Sequence, residues 1–244
     1  MKTDKYQKRF YRGWIKPAGL FSSQITIGQT DLQILTDKKA DRAFITEKIK
    51  FSRKQIEEYI YKDERFLTTL KPITVELKAP KIVRKMSRAS ALADVGPMAC
   101  VAGAIAETLG RDLLKAGMKE IIIENGGDIF LKISKTRNIG IYAGDSKLSN
   151  RLKLKINPRD TPMGICCSSG TIGHSLSFGC ADSVVILAKN AFLADAAATT
   201  VCNRVQSGKD FTKALDFALS IKGVLGAVII LGDNLAARGK IEFA

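Results

Sequence analysis

The segment FLADAAATTVCN, Phe192 to Asn203, is built almost entirely of small apolar residues. It nevertheless carries one carboxylate, Asp195, and a hydroxyl, Thr199, four residues further on. On a helix that spacing puts both oxygens on one face. Together they could hold a hard cation, which takes oxygen ligands. The alternative is that Asp195 caps the helix start and Thr199 is a small packing residue.

Three other segments could carry chemistry. In ENGGDIF the pair Gly126-Gly127 permits positive φ and close approach of backbone to a ligand, with Asp128 at the turn. An ordinary hairpin with a polar turn is the competing reading. CCSSGTIGHSLSFG gathers Ser168, Ser169, Gly170 and Thr171 ahead of His174, the only histidine in the chain. Backbone amides in such a loop can cradle phosphates. A Ser or Cys nucleophile beside His174 is the other chemistry available, although no G-x-S-x-G elbow is present. In ADVGPMACVAG, Pro97 cannot continue a helix begun before it. The break frees carbonyls around Met98 and Ala99, which could serve as metal ligands or simply mark a helix–helix corner.

These segments need a frame to bring them together. LFSSQITIGQTDLQILTD alternates and predicts a hairpin turning between Gly28 and Asp31. SRKQIEEYIYKDERFLTTL has helical spacing, and ITVELK, Ile73 to Lys78, predicts a strand. Met86 to Gly117 predicts two alanine-rich helices meeting at Gly96-Pro97. KEIIIEN and IFLKIS predict strands joined by the GGD turn, with further strands in NIGIYAG, RLKLKINP, DSVVILA and VLGAVIILGDN. GICCSSGTIGHSLSFG predicts a loop, NAFLADAAATTVCNRVQSG a helix closed by glycine, and DFTKALDFALSIKG another helix. Helices and strands mix without strict alternation and several strands are sequential pairs. That predicts an α+β fold, mixed or antiparallel sheets packed with alanine-rich helices. Without repeats or a low-complexity linker, residues 1–244 are expected to form a single domain, the basic stretch 1–90 integral to it.

Composition narrows the partners. The formal charge is +15 and the pI near 9.7, with most of the excess in residues 1–90. A basic field attracts anions, but the lysines and arginines are interleaved with carboxylates and no RNA-binding motif occurs, so no nucleic-acid partner is expected. No apolar run reaches the roughly 18–20 residues of a membrane span. The opening MKTDKYQKRFYRGW has no apolar stretch or cleavage site. A cytoplasmic protein without a membrane partner is therefore expected; a homo-oligomer fits equally well. The five cysteines form no CxxC pair, which argues against a disulfide framework or a zinc site. Cys166 and Cys167 fall in the predicted glycine-rich loop, whose amides could lower a thiol pKa.

The order of these pieces resembles UPF0280, the uncharacterised protein family 0280, which is similar to the ApbE-like flavin transferases (FAD:protein FMN transferases). The likeness to UPF0280 spans nearly the whole chain and includes RFYRGW, ETLGRDLL, IIIENGGDI, IYAGDSKLS, CSSGTIGHSLSFG and ADAAATTVCN. The likeness to the transferases is more distant: DVGPMACV falls where they carry Asp-Leu-Gly-x-Ile-Ala-Lys-Gly, ENGGDI matches their Gly-Gly-Asp turn, CSSGT their Thr-Ser-Gly loop and LADAAATT their Ala-Asp-Ala-x-x-Thr helix. The resemblance implies FAD as cofactor and a Mg²⁺ ion on its pyrophosphate, held by Asp195, Thr199 and the carbonyl of Ala99. It implies flavin contacts from Gly126, Gly127, Asp128, Ser168, Ser169, Gly170 and Thr171, His174 as the catalytic candidate, and FMN transfer to a Thr or Ser of a protein acceptor. The chain departs from the transferase pattern at Cys100 and Val101, which replace Lys and Gly, and after His174, where no Asp-Pro follows. An alternative implied by the UPF0280 likeness is a non-transferase role in flavin binding or in sulfur assimilation, towards homocysteine.

Overall fold

Alternating apolar residues fold the first described strands into a hairpin. The computed structural model describes Arg12 and residues 19–171 and 177–244. β1 (Phe21–Ile27) and β2 (Thr30–Thr36) pair antiparallel around Gly28, whose φ of 57° suits glycine. β3 (Ile121–Asn125) and β4 (Asp128–Lys132) form a second hairpin. β5 (Arg137–Gly140) and β6 (Lys153–Ile156) make a separate two-stranded sheet. β7 (Met163–Ser168), β8 (Ser183–Ala188), β9 (Val224–Leu231) and β10 (Asn234–Gly239) complete the main sheet, whose order among the described residues is β1-β2-β3-β4-β7-β8-β9-β10. Every neighbouring pair in it is antiparallel, as the α+β expectation requires.

The helices are α1 (Arg42–Lys62), α2 (Arg65–Thr68), α3 (Lys81–Ala93), α4 (Val101–Lys115), α5 (Ala191–Asn203) and α6 (Phe211–Ser220). They cover one face of the sheet, where Leu32, Ile34, Ile123 and Phe130 meet them. The other face, with Leu35, Ile122, Ile165 and Val185, lies under Ile139 and Leu154 of the small sheet. Both faces are thus buried, which is why IIIEN and SVVILA read as unbroken apolar runs rather than alternating ones. α5 is the central helix. From Ala191 to Cys202 every residue but Thr199 is buried, the pattern of a helix surrounded by protein. Its small residues let it sit close: a Cβ on Gly164 of β7 would lie 2.4 Å from Ala191 Cα. α3 and α4 bend by 101° across the Gly96-Pro97 corner, and among the described residues no single helix is long and apolar enough to cross a membrane.

Several local expectations are corrected. Ile73 to Lys78 forms no strand. Ile73 and Val75 pack against the helical core instead, and the Ile73 carbonyl accepts the Ser87 hydroxyl, so alternation is satisfied without a ladder. Met163–Ser168 is a strand, not a loop, because Ile165 and Cys166 are buried between β4 and β8. α1 starts ten residues before the expected Ser52, capped by Asp41, which accepts the Ala43 amide at 2.8 Å. α5 ends at Asn203, short of Gly208. β10 has no strand signal in the sequence because five of its six residues are exposed and only Leu235 among those five is a large apolar residue.

Glu107, only 1% exposed, ties α4 to the start of α5. Its Oε2 accepts the Ala191 amide at 2.7 Å and its Oε1 accepts Arg111 Nε at 2.6 Å. Arg111 and Lys85 reach solvent and can be rehydrated when the carboxylate is removed. The lasting cost is the stranded Ala191 amide. Glu107→Ala is expected to lower stability by about 2 kcal/mol, the scale of a hydrogen bond to a charged group. Urea unfolding checks this, and an unchanged midpoint would contradict the capping role.

Candidate functional site

The corner between α3 and α4 is shaped by backbone. Asp94 ends α3 in the left-handed region (φ 54°). At Gly96 a Cβ would come within 1.8 Å of the Thr69 carbonyl, so only glycine fits. Pro97–Cys100 then makes one 3-10 turn before α4 begins. Cys100, which stands where a lysine was expected from the family pattern, is fully buried and points its thiol at the Pro97 carbonyl, 3.1 Å away. It packs the corner and offers no cation to a ligand.

α5 crosses the beginning of α4 at this corner. Asn190, not Asp195, caps α5, accepting the Leu193 amide at 2.9 Å. The capping alternative for Asp195 is thereby removed. Asp195 instead accepts the Gly103 amide on Oδ2 at 2.8 Å, over the positive end of α4. One turn along, Thr199 Oγ1 reaches the Ala99 carbonyl at 3.5 Å, a long contact. Asp195, Thr199 and the Ala99 carbonyl, three oxygen donors on two elements, therefore meet at one crossing. Burial pushes the Asp195 carboxyl up to about 7, against the lowering pull of the Gly103 and Ala102 amides.

The GGD turn joins this crossing from the sheet. Gly126 and Gly127 have φ of 70° and 100°, and Asn125 Nδ2 donates to the Ala102 carbonyl at 3.1 Å. Asp128 is buried at the start of β4, and its Oδ1 has no hydrogen-bond partner among the described residues. Burial and then the neighbouring Asp195 charge hold its carboxyl well above the usual range. Two buried carboxylates, one with an orphaned oxygen, are a destabilising arrangement for bare protein and a favourable one for a cation. The donors are all oxygens, which suits Mg²⁺. No group of three or more His, Cys, Asp or Glu side chains that could hold a metal occurs among the described residues, so a zinc-type centre is not built there.

A cleft of about 2110 Å³ opens beside the crossing, lined among others by Met98, Ala102, Gly127, Asp128, Ser169 and Thr171. Ala99, Asp195 and Thr199 stand next to that lining, Asp195 through its bond to Gly103, the neighbour of Ala102. The expected amide cradle is largely committed within the protein. Gly127 N–H donates to Glu124 Oε1 at 2.7 Å, Gly170 N–H to the Ala181 carbonyl at 2.9 Å, and Thr171 N–H to Ser169 Oγ at 3.1 Å. Thr171 Oγ1 in turn donates to Asp182 at 3.1 Å. Gly170 is glycine of necessity, since a Cβ there would lie 1.8 Å from the Gly179 carbonyl. Ser168 is buried at the end of β7, beside the Cys202 thiol. His174 lies outside the described residues.

Four of the five cysteines are held away from solvent, and Cys180 is exposed. Burial raises the thiols of Cys100, Cys166, Cys167 and Cys202. The expectation that the glycine-rich loop would lower the pKa of Cys166 or Cys167 is corrected: both sit on β7, surrounded by apolar side chains and by the carboxylates of Asp128 and Asp195. Two polar residues were not singled out in the sequence. Arg12 and Glu124 form a buried pair on the cleft wall; the only signal was their place inside RFYRGW and IIIENGGDI.

The antiparallel sheet and its packed helices have the fold of solved ApbE proteins. Solved ApbE structures superpose on this chain: the Vibrio cholerae flavin transferase ApbE with a TM-score of 0.59 at 13% identity, covering 90% of this chain and 97% of that one. The ApbE protein of Thermotoga maritima gives 0.59 at 14% identity, covering 91% and 97%. A family model described as "AbpE bacteria" matches residues 12–242. A UPF0280 protein of Methanocaldococcus jannaschii is 43% identical over 227 residues, 91% of each chain, and one of Methanocella arvoryzae is 42% identical over 189 residues, 78% of this chain and 77% of that one. The chain belongs to this ApbE-like family of UPF0280 proteins.

Proposed function

We propose that the cleft binds FAD through a Mg²⁺ ion and transfers its FMN half to a hydroxyl, in a protein acceptor a Thr or Ser side chain. The observation that carries this reading is the meeting of Asp195, Thr199 and the Ala99 carbonyl next to the Gly126-Gly127-Asp128 turn. The structural neighbours named as flavin transferases support the choice of flavin. When bound, the ion neutralises pyrophosphate charge and makes AMP a better leaving group.

The chain's own residues do the placing. Asp195 supplies the negative charge that a dication requires, and Thr199 and Ala99 supply neutral oxygens. Asp128 gives the site a second carboxylate at the cleft wall, and Ser169 and Thr171 offer hydroxyls along it. The acceptor oxygen attacks the flavin-side phosphorus; the P–O bond to AMP breaks, AMP leaves with that electron pair, and the hydroxyl proton passes to a base. His174 is the candidate for that base, or for a donor that holds the phosphates. Water in place of the hydroxyl yields free FMN and AMP. The raised thiols weigh against a thiolate-based sulfur chemistry in the same cleft.

The test is AMP release from FAD, followed by chromatography, with Mg²⁺ and with EDTA. Mg²⁺-dependent release supports the reading, and His174→Ala should then keep FAD affinity and lose release if His174 is the base. FAD that remains intact and unbound in Mg²⁺ would contradict it.

A further inference from the structure

The Gly126-Gly127 turn is held along the cleft wall by a chain of ion pairs that begins far away in sequence. Arg12 has a side chain only 9% exposed. Its Nε donates to Glu124 Oε2 at 2.5 Å, its Nη1 to Asp31 Oδ1 at 2.9 Å and its Nη2 to the Asp31 carbonyl at 2.8 Å. Asp31 also accepts from Gln24 and Thr26. Glu124 uses its other oxygen, Oε1, to accept the Gly127 amide. The guanidinium fork is thus committed to protein acceptors, the geometry in which arginine fixes a position rather than captures a ligand.

The turn is gripped on its other side as well. A Cβ on Gly127 would lie 2.5 Å from Cys167 Sγ, so the turn has no room to move towards β7. Arg12, Glu124, Gly127 and Asp128 all line the same cleft. Glu124 therefore places a carboxylate on the wall of a cavity that, in the function proposed above, admits an anionic pyrophosphate. Like charge in a poorly hydrated site repels strongly. Arg12 is the cation set directly against it. Burial pulls the Arg12 pKa down and the Glu124 and Asp31 carboxylates more than restore it, so Arg12 stays charged.

We propose that Arg12 is a positioning residue for the anion-binding wall: through Glu124 it fixes the Gly126-Gly127 turn, and its charge cancels the Glu124 carboxylate where an anionic nucleotide must pass. The charge-cancelling half rests on the flavin reading; the turn-fixing half does not. An arginine that only anchors residues near the N-terminus would influence stability alone.

Two measurements separate these cases. FAD affinity in Mg²⁺ is read by flavin fluorescence quenching, and hydrogen exchange is read over residues 121–131, with thermal melts as a folding control. Arg12→Gln is expected to weaken FAD binding at least tenfold and to speed amide exchange in that segment. Glu124→Gln keeps an acceptor for Gly127 and removes the charge, so the double variant Arg12→Gln/Glu124→Gln should regain most of the lost affinity. Arg12→Lys keeps the charge without the fork; it should bind FAD better than Arg12→Gln while still exchanging faster than the parent, and it serves if Arg12→Gln does not fold. Unchanged affinity and exchange in Arg12→Gln, or a double variant no better than Arg12→Gln alone, would overturn the proposal. Parent protein that fails to bind FAD would instead sink the flavin reading, and the exchange comparison would then decide the turn-fixing role by itself.

Discussion

Asp195→Asn is expected to fold and to bind FAD equally weakly in Mg²⁺ and in EDTA. Asparagine keeps the size of the side chain and one oxygen for the Gly103 amide. It removes the charge on which a hard dication depends. Substituting residues one shell beyond a metal costs 10–100-fold, so loss of a direct ligand should reach on the order of 100-fold in Mg²⁺-dependent affinity. Stability should not suffer, because the replacement removes a carboxylate whose ionised form burial disfavours. Calorimetric titration of FAD and a melt in the absence of metal check both halves. A variant that retains the parent's Mg²⁺ response would exclude Asp195 as a ligand.

Gly103→Ala should be damaging at the α4–α5 crossing. Its Cβ would lie 2.4 Å from the Ala191 carbonyl and 3.0 Å from Asp195 Cβ. The nearest obstacle is backbone, so α4 and α5 must separate. Overpacking of this kind costs about 1–3 kcal/mol, and we expect the upper end because the helix that moves is buried along its length. The shift also draws Asp195 from the Gly103 amide, so Mg²⁺-dependent FAD binding should fall with stability. Gly208→Ala, where a Cβ meets nothing within 4 Å, is the control and should be neutral. Chemical denaturation and FAD titration of the two variants give the comparison. Equal behaviour would mean that the α4–α5 approach is not what sets the crossing.

The parts legible in the sequence are those whose local chemistry forces one answer. The β1–β2 hairpin follows from alternation around a glycine turn, the β3–β4 hairpin from two apolar runs joined by Gly126-Gly127, and Pro97 marks the helix corner because proline cannot lie within a helix. The buried helix α5 is recognisable because only small apolar residues let a helix pass so close to β7 and α4. What could not be read depends on long-range neighbours. Ile73 to Lys78 alternates like a strand, yet among the described residues no strand pairs with it. The short apolar run holding the cysteines of β7 adjoins a glycine- and serine-rich stretch and reads locally as loop; burial between β4 and β8 decides their state.

The site divides in the same way. Asp195, Thr199 and Ala99 could be proposed together from motif order, and they meet at one crossing. That Asp195 is not a cap required knowing that Asn190 starts the helix. The glycine amides pointed to a phosphate cradle, but spacing alone does not tell whether an amide is already spent on Glu124, Ala181 or Ser169. Arg12 and Glu124 are 112 positions apart, and no local pattern links them.

The most direct measurement is calorimetric titration of FAD into the unaltered protein, once in Mg²⁺ and once in EDTA. The meeting of Asp195, Thr199 and the Ala99 carbonyl beside the Gly126-Gly127 turn predicts saturable binding in Mg²⁺ that weakens at least tenfold in EDTA. Binding of equal strength in both, or no heat in either, would contradict a metal-dependent flavin nucleotide site in this cleft.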